Sequence, residues 1–145
     1  MKKIIIFLFA SFMSSSCESQ KTVTESKNTE ISKLTDEQLM DKVQKDALKY
    51  FWDYAEPNSL LGRERYHEDN IYPQNDKHVV TTGGSGFGLA TVLVGVERGF
   101  IPREEAVKRL NTMMDFLAKA DRFHGAWSHW INGETGKVVP FGRKD

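Results

Sequence analysis

Between Asp121 and Lys137 the chain reads DRFHGAWSHWINGETGK, with two histidines and two tryptophans inside one short stretch. Flat aromatic faces beside Asp121, Arg122, His124, His129, Asn132 and Glu134 suit a sugar ring: the rings cover its C–H face and the polar groups bond its hydroxyls. Asn132 to Gly136 is a turn-forming cluster between aromatic-rich, extended flanks, which predicts a β-hairpin loop. In an extended segment Trp127 and His129 share one face, while Trp130 points the other way. The competing expectation is that both tryptophans are core plugs beneath helices. A metal site is not expected, because His124 and His129 match no common zinc spacing and no thiolate is at hand.

A second candidate is TTGGSGFG at 81–88, which runs straight into LATVLVGV. Glycine-rich turns feeding a helix cradle phosphates. Here Gly83 to Gly88 has the phosphate-loop spacing, but Leu89 and Ala90 stand where lysine and a hydroxyl residue are needed. The dinucleotide fingerprint fails as well, since Thr91 occupies its last glycine or alanine position. Nucleotide is therefore not the expected ligand. What remains is a set of helix N-terminal amides beside the Thr81, Thr82 and Ser85 hydroxyls, able to bind neutral hydroxyls as readily as an anion. The alternative is a purely steric need for glycine where helices pack. Gly84-Ser85-Gly86 also lacks the spacing of a serine-hydrolase elbow.

The elements that would carry these residues are helical. Thr35-Asp36-Glu37-Gln38 is a capping box flanked by Leu34 and Leu39. Leu39, Val43, Ala47, Tyr50, Phe51 and Tyr54 follow at helical spacing, so a first helix is expected to end near Ala55, before Glu56-Pro57. Residues 56–80 form a long, charged loop. A second helix is expected over 86–98, apolar on every face and hence buried all round, with Gly88 and Gly95 where another backbone could approach. Gly99 closes it. Pro102 opens a third helix, whose buried stripe is Ala106, Leu110, Met113, Met114 and Leu117, and which ends near Asp121. Two amphipathic helices beside a wholly buried one form the inner and outer layers of an αα-hairpin toroid. Three helices cannot surround a buried helix by themselves, so this chain alone is expected to be neither stable nor active.

Twenty basic and twenty acidic residues leave no net charge, which argues against nucleic acid or an anionic membrane surface as the main partner. Lys2-Lys3, the apolar Ile4 to Met13 and Ser14-Ser15-Ser16 precede Cys17, the single cysteine. This reads as a signal segment over 1–17, with Cys17 resembling a bacterial lipoprotein processing site. Residues 18–33 are a polar tether. Folded material is expected from 34 to 145, attached to the membrane only through the lipid.

The stretches VTTGGSGFG, VGVERGFIPREEA and ADRFHGAWSHWINGETGKVVPF resemble the N-terminal part of bacterial glycoamylase-like domain proteins, across about residues 34–145. These are secreted or lipid-anchored glycoside hydrolases of Bacteroidota type, with relatives acting on β-1,2-glucan. The resemblance implies a mainly α fold, the N-terminal portion of an (α/α)6 toroid with its active site in the central bowl, and no cofactor. It implies that Asp145 is the first carboxylate of an acidic catalytic segment, of which this chain carries no more. Glycosidic hydrolysis needs two carboxylates, so an inactive fragment is expected. Trp127, His129, Trp130 and Arg65, with Thr82 behind them, are the expected substrate contacts. Arg65 lies in the charged segment GRERYHED. The alternative is a surface glycan-binding lipoprotein that never cleaves.

Overall fold

Three helices carry most of the regular structure in a computed structural model, which describes residues 31–140 and 142. Cys17 and Asp145 lie outside the described residues. The chain divides into two units, residues 1–42 and 43–145.

In the first unit the capping box is formed as its sequence suggests. The Thr35 amide donates to Gln38 Oε1 at 2.9 Å, and the Gln38 amide donates to the Thr35 hydroxyl at 3.3 Å. Helix α1 spans Asp36–Trp52 and so continues into the second unit. It stops earlier than Ala55, because the Asp53 and Tyr54 amides both turn onto the Lys49 carbonyl. Its buried residue is Leu48, with Phe51 and Trp52 half-buried; Val43 and Ala47 of the expected stripe are exposed.

Helix α2, Thr82–Glu97, starts ahead of the expected position. Thr81, not a glycine, is its cap: the hydroxyl accepts from the Gly84 amide at 3.1 Å. Its buried residues are Ser85, Gly88, Val92 and Gly95, spaced by three or four. A Cβ at Gly88 would sit 2.8 Å from Phe51 Cδ1, and one at Gly95 3.1 Å from Leu48 Cδ2. The glycines therefore admit side chains of α1, rather than a second backbone. Burial all round is not what the structure has. Phe87 is 75% exposed and Leu93 63% exposed, since nothing among the described residues covers those faces. The helix closes through Gly99, φ +69°, where the Phe100 amide reaches the Gly95 carbonyl at 2.8 Å and the Gly99 amide reaches Val96 at 3.0 Å.

Helix α3, Arg103–Lys119, begins after Pro102. It buries Ala106 and Met113, with Leu110 and Leu117 partly covered. Met114 falls outside the stripe and is exposed.

Four short strands complete the fold: β1 (Val79–Thr81), β2 (Arg122–Phe123), β3 (Ala126–Trp127) and β4 (Trp130–Asn132). β1 and β4 are antiparallel, pairing Val79 with Asn132, Val80 with Ile131 and Thr81 with Trp130. Arg63 bridges to Val80 on the other side of β1, and Ile131 bridges to Val138. Val80 and Ile131 are fully buried and join Leu61, Met113 and Ala120 in the core. β2 pairs with β3 around His124 and Gly125, both at positive φ, the geometry of a tight two-residue reversal. Asn132 to Gly136 does form a turn, with Asn132 Oδ1 accepting the Glu134 and Thr135 amides at 2.9 Å. That turn leads from β4 to the single bridge at Val138 instead of joining two long aromatic strands.

Glu56 ties these pieces together. It is fully buried, and its carboxylate accepts from the Asn58 amide at 3.0 Å, the Asn58 side chain at 2.8 Å, and the Ser59 amide and hydroxyl at 2.8 Å. His78 Nδ1 lies 2.9 Å from its other oxygen. Gly133, whose amide donates to the His78 carbonyl at 2.6 Å, packs so closely that a Cβ there would be 2.7 Å from Glu56 Oε2. Burial by itself pushes the Glu56 carboxyl up. Hydrogen bonds from the Ser59 amide, His78, the Asn58 side chain and the Ser59 hydroxyl outweigh it, and hold the group below the usual carboxylate range.

A carboxyl lowered in the folded state adds stability above its unfolded value of about 4.3, and that stability is lost as pH falls through the lower folded value. Glu56→Gln is therefore expected to flatten the acid limb of a melting-temperature profile. Glu56→Ala is expected to cost about 3–5 kcal/mol at neutral pH. An unchanged acid limb in Glu56→Gln contradicts the assignment.

Candidate functional site

The sheet that Glu56 anchors has one face in the core, through Val80 and Ile131. Side chains alternate along strands, so Trp130 projects from the opposite face. Its indole crosses β1 and donates from Nε1 to Glu64 Oε2 at 3.1 Å. Glu64 is placed there by its own amide, which donates to the Val79 carbonyl at 2.9 Å. Tyr50 stands close by, its hydroxyl donating to the Arg63 carbonyl at 3.1 Å. Burial, and after it the Glu64 charge, pushes the Tyr50 phenol up against a smaller opposing pull from Arg63.

His129 and Thr82 join this group from the end of the sheet. The His129 and Trp130 rings lie 5.6 Å apart, tilted by 44°. The Thr82 amide and hydroxyl reach the His129 carbonyl at 3.1 and 3.5 Å. Thr82 thus fixes the backbone beneath the histidine. The remaining hydroxyls of the glycine stretch are engaged internally: Ser85 donates to the Thr81 carbonyl at 2.6 Å and accepts from the Gly62 amide at 3.1 Å. The N-terminus of α2 is closed by its own side chains, so the open set of amides and hydroxyls expected from the sequence is not present.

Trp127 and His129 do not share a strand face, because β3 ends at Trp127 and Ser128 turns back to donate to the Trp130 carbonyl. Trp127 leans instead on α3, donating from Nε1 to the Leu117 carbonyl at 3.1 Å, with the Arg122 guanidinium 6.0 Å from its ring centre. At 38% exposure it is no core plug. Arg65 extends from the segment after Glu64, half-exposed, its Nη1 3.6 Å from Asp76 Oδ2. Asp76 is buried, and among the described residues no donor hydrogen-bonds its carboxylate. No group of three or more described His, Cys, Asp or Glu residues is arranged to hold a metal ion, and no described helix is long and apolar enough to cross a membrane.

The structure thus gathers Trp130, His129 and Thr82, with Arg65 one residue from Glu64 and Trp127 held separately on α3. Glu64 and Tyr50 escaped sequence reasoning. The only available signal for Glu64 was its place between two arginines in an extended segment, where a carboxylate must face away from both.

Over 113 residues, 77% of its length, the chain is 53% identical to an exo-β-1,2-glucooligosaccharide sophorohydrolase (non-reducing end) from Parabacteroides distasonis. The endo-β-1,2-glucanase of Chitinophaga pinensis, solved with sophorotriose and glucose, superposes with a TM-score of 0.73 at 56% identity, over 76% of this chain and 26% of that one. A glucoamylase-like protein from Bacteroides caccae superposes with a TM-score of 0.74 at 58% identity, over 77% of this chain and 27% of that one. The chain is a homologue of these glycoamylase-like proteins. It spans 15% of the length of the curated relative and about a quarter of the solved chains just described. No family model matches it.

Trp127→Ala is expected to lower stability by about 1–2 kcal/mol, well short of the 3–5 kcal/mol of a buried tryptophan. Thermal or urea melting measures this. A loss of 4 kcal/mol or more returns Trp127 to the core.

Proposed function

We propose that this stretch is the saccharide-contacting part of a protein that hydrolyses β-1,2-glucan, built on the wall of an (α/α)6 toroid. The observation that carries the reading is identity above 50% to proteins named for β-1,2-glucan and its oligosaccharides, across three quarters of the chain. The Trp130–His129 pair with Glu64 bonded to its indole, and the exposed Trp127 ring on α3, supply aromatic faces and hydrogen-bonding groups of the kind a glucosyl unit requires. The open apolar faces of α2 at Phe87 and Leu93 fit a toroid in which further helices would lie against them.

In this reading Trp127, His129, Trp130 and Arg65 touch glucan and Thr82 supports His129. Asp145 contributes one carboxylate of a catalytic pair, one acid protonating the leaving oxygen while the other activates water or attacks the sugar. The described residues carry the binding part of this scheme, and the hydrolytic part belongs to a protein with the rest of the relatives' length. Two buried clusters form within the described residues, so, against the instability expected from the sequence, the 145-residue chain is expected to fold far enough to bind β-1,2-glucooligosaccharide without releasing sophorose. A polypeptide carrying the relatives' remaining length is expected to release it, as measured by chromatography of the products. If neither form binds or cleaves β-1,2-glucan, the reading fails; binding without release in both forms points to a glycan-binding lipoprotein.

We also propose that Cys17 is lipidated and holds the protein at the cell envelope, the motif being a short apolar segment, small residues and a polar tether. Mass spectrometry of the membrane fraction is expected to find a mature N-terminus at Cys17 carrying acyl groups. An unmodified thiol, or a different N-terminus, contradicts it.

A further inference from the structure

We propose that Glu64 is a saccharide-binding residue: it locks the Trp130 indole in place and presents its second carboxylate oxygen to a glucosyl hydroxyl. This rests on the β-1,2-glucan reading above and adds to it a residue and a division of labour.

An indole nitrogen is a donor only, and an ionised carboxylate is an acceptor only. The Trp130 Nε1–Glu64 Oε2 bond, 3.1 Å long, therefore fixes the ring through a charge-assisted contact. Both partners are held by backbone pairing on opposite sides of β1, Trp130 opposite Thr81 and Glu64 through its amide on Val79. The ring is thus laid across the sheet before any ligand arrives, which removes part of the ordering cost of binding. Oε1 receives no hydrogen bond from any described residue, and Glu64 is only half-buried, so water or a sugar hydroxyl reaches it. Tyr50 lines the same side, near enough for the Glu64 charge to act on its phenol. Glu56, the structural carboxylate of the loop, spends both oxygens on protein donors instead.

A ring with an adjacent free carboxylate oxygen matches the two halves of a glucosyl unit, a C–H face and a rim of hydroxyl donors. A hydrogen bond to an ionised acceptor is also the stronger kind, so removing the charge should register in affinity even where the ring stays.

The test uses the 145-residue chain and β-1,2-glucooligosaccharides, with affinity read by calorimetry, folding by thermal melting and ring order by near-ultraviolet circular dichroism. Glu64→Gln retains an oxygen for the indole but loses the charge. It is expected to weaken binding about tenfold, equivalent to about 1.4 kcal/mol, with melting temperature and dichroism unchanged. Trp130→Phe keeps a ring and loses the donor; it is expected to weaken binding by a similar factor. Wild-type affinity in Glu64→Gln overturns the proposal, and so does a loss of affinity matched by a loss of fold in both variants. Absence of binding by the wild-type chain overturns the Glu64 proposal, and the β-1,2-glucan reading falls with it where the longer form also neither binds nor cleaves the glucan. Wild-type binding with unaffected variants overturns the Glu64 role alone.

Discussion

A buried carboxylate with five donors around it is the constraint on which the second unit depends. Glu56 sits where α1 has ended, and its hydrogen bonds close the turn through Asn58 and Ser59 while drawing in His78, the residue that leads into β1. Gly133, just past β4, fits only because it has no side chain. Three segments far apart in sequence are thereby set at one point. Uncompensated burial of a charge is costly, and here five donors offset that cost. Holding the three segments at one point makes the carboxylate a reference for the sheet.

What the sheet carries follows from that reference. With Val80 and Ile131 turned into the core, the opposite face presents Trp130, and the neighbouring extended segment supplies Glu64. The glycine face of α2 does a related job at the helix interface. Gly88 and Gly95 let Phe51 and Leu48 approach closely, and the same Phe51 lies against Gly62, where a Cβ would stand 3.2 Å from its ring. The glycines that suggest a phosphate loop are thus explained by packing and by the Thr81 cap. Positive charge, which a phosphate would need, is absent from that turn.

Local chemistry was legible in the sequence and non-local pairing was not. The Thr35–Gln38 box, the Gly99 closure and the Pro102 start depend on residues within one turn of each other, and each stands as its residue types suggest. The resemblance to glycoamylase-like proteins, carried by dense stretches of identity, also stands. The stripe of α1 was misjudged because Leu48, not Val43 or Ala47, meets the Gly95 face of α2. Periodicity shows that a face exists but not which neighbour it meets. Residues 56–80 gave no period, and their order comes from Glu56, His78 and the Arg63–Val80 bridge, contacts that span some twenty residues. Over 121–137 the chain makes two separate reversals: β2 pairs with β3 around His124 and Gly125, and the Asn132–Gly136 turn leads to the Ile131–Val138 bridge. The residue pattern did not show that Trp127 would meet α3 and Trp130 would lie opposite β1.

The central claim is that Glu56 fixes the loop, β1 and the turn after β4 as one unit. Native-state hydrogen exchange in Glu56→Gln tests it most directly, by comparing the Ser59 amide, which bonds Glu56 itself, with the Gly133 amide, which bonds only the His78 carbonyl. If the claim is right, both lose protection together, by on the order of tenfold or more. Loss of protection at Ser59 with Gly133 unchanged would show that the carboxylate orders only its own turn, and would contradict the account.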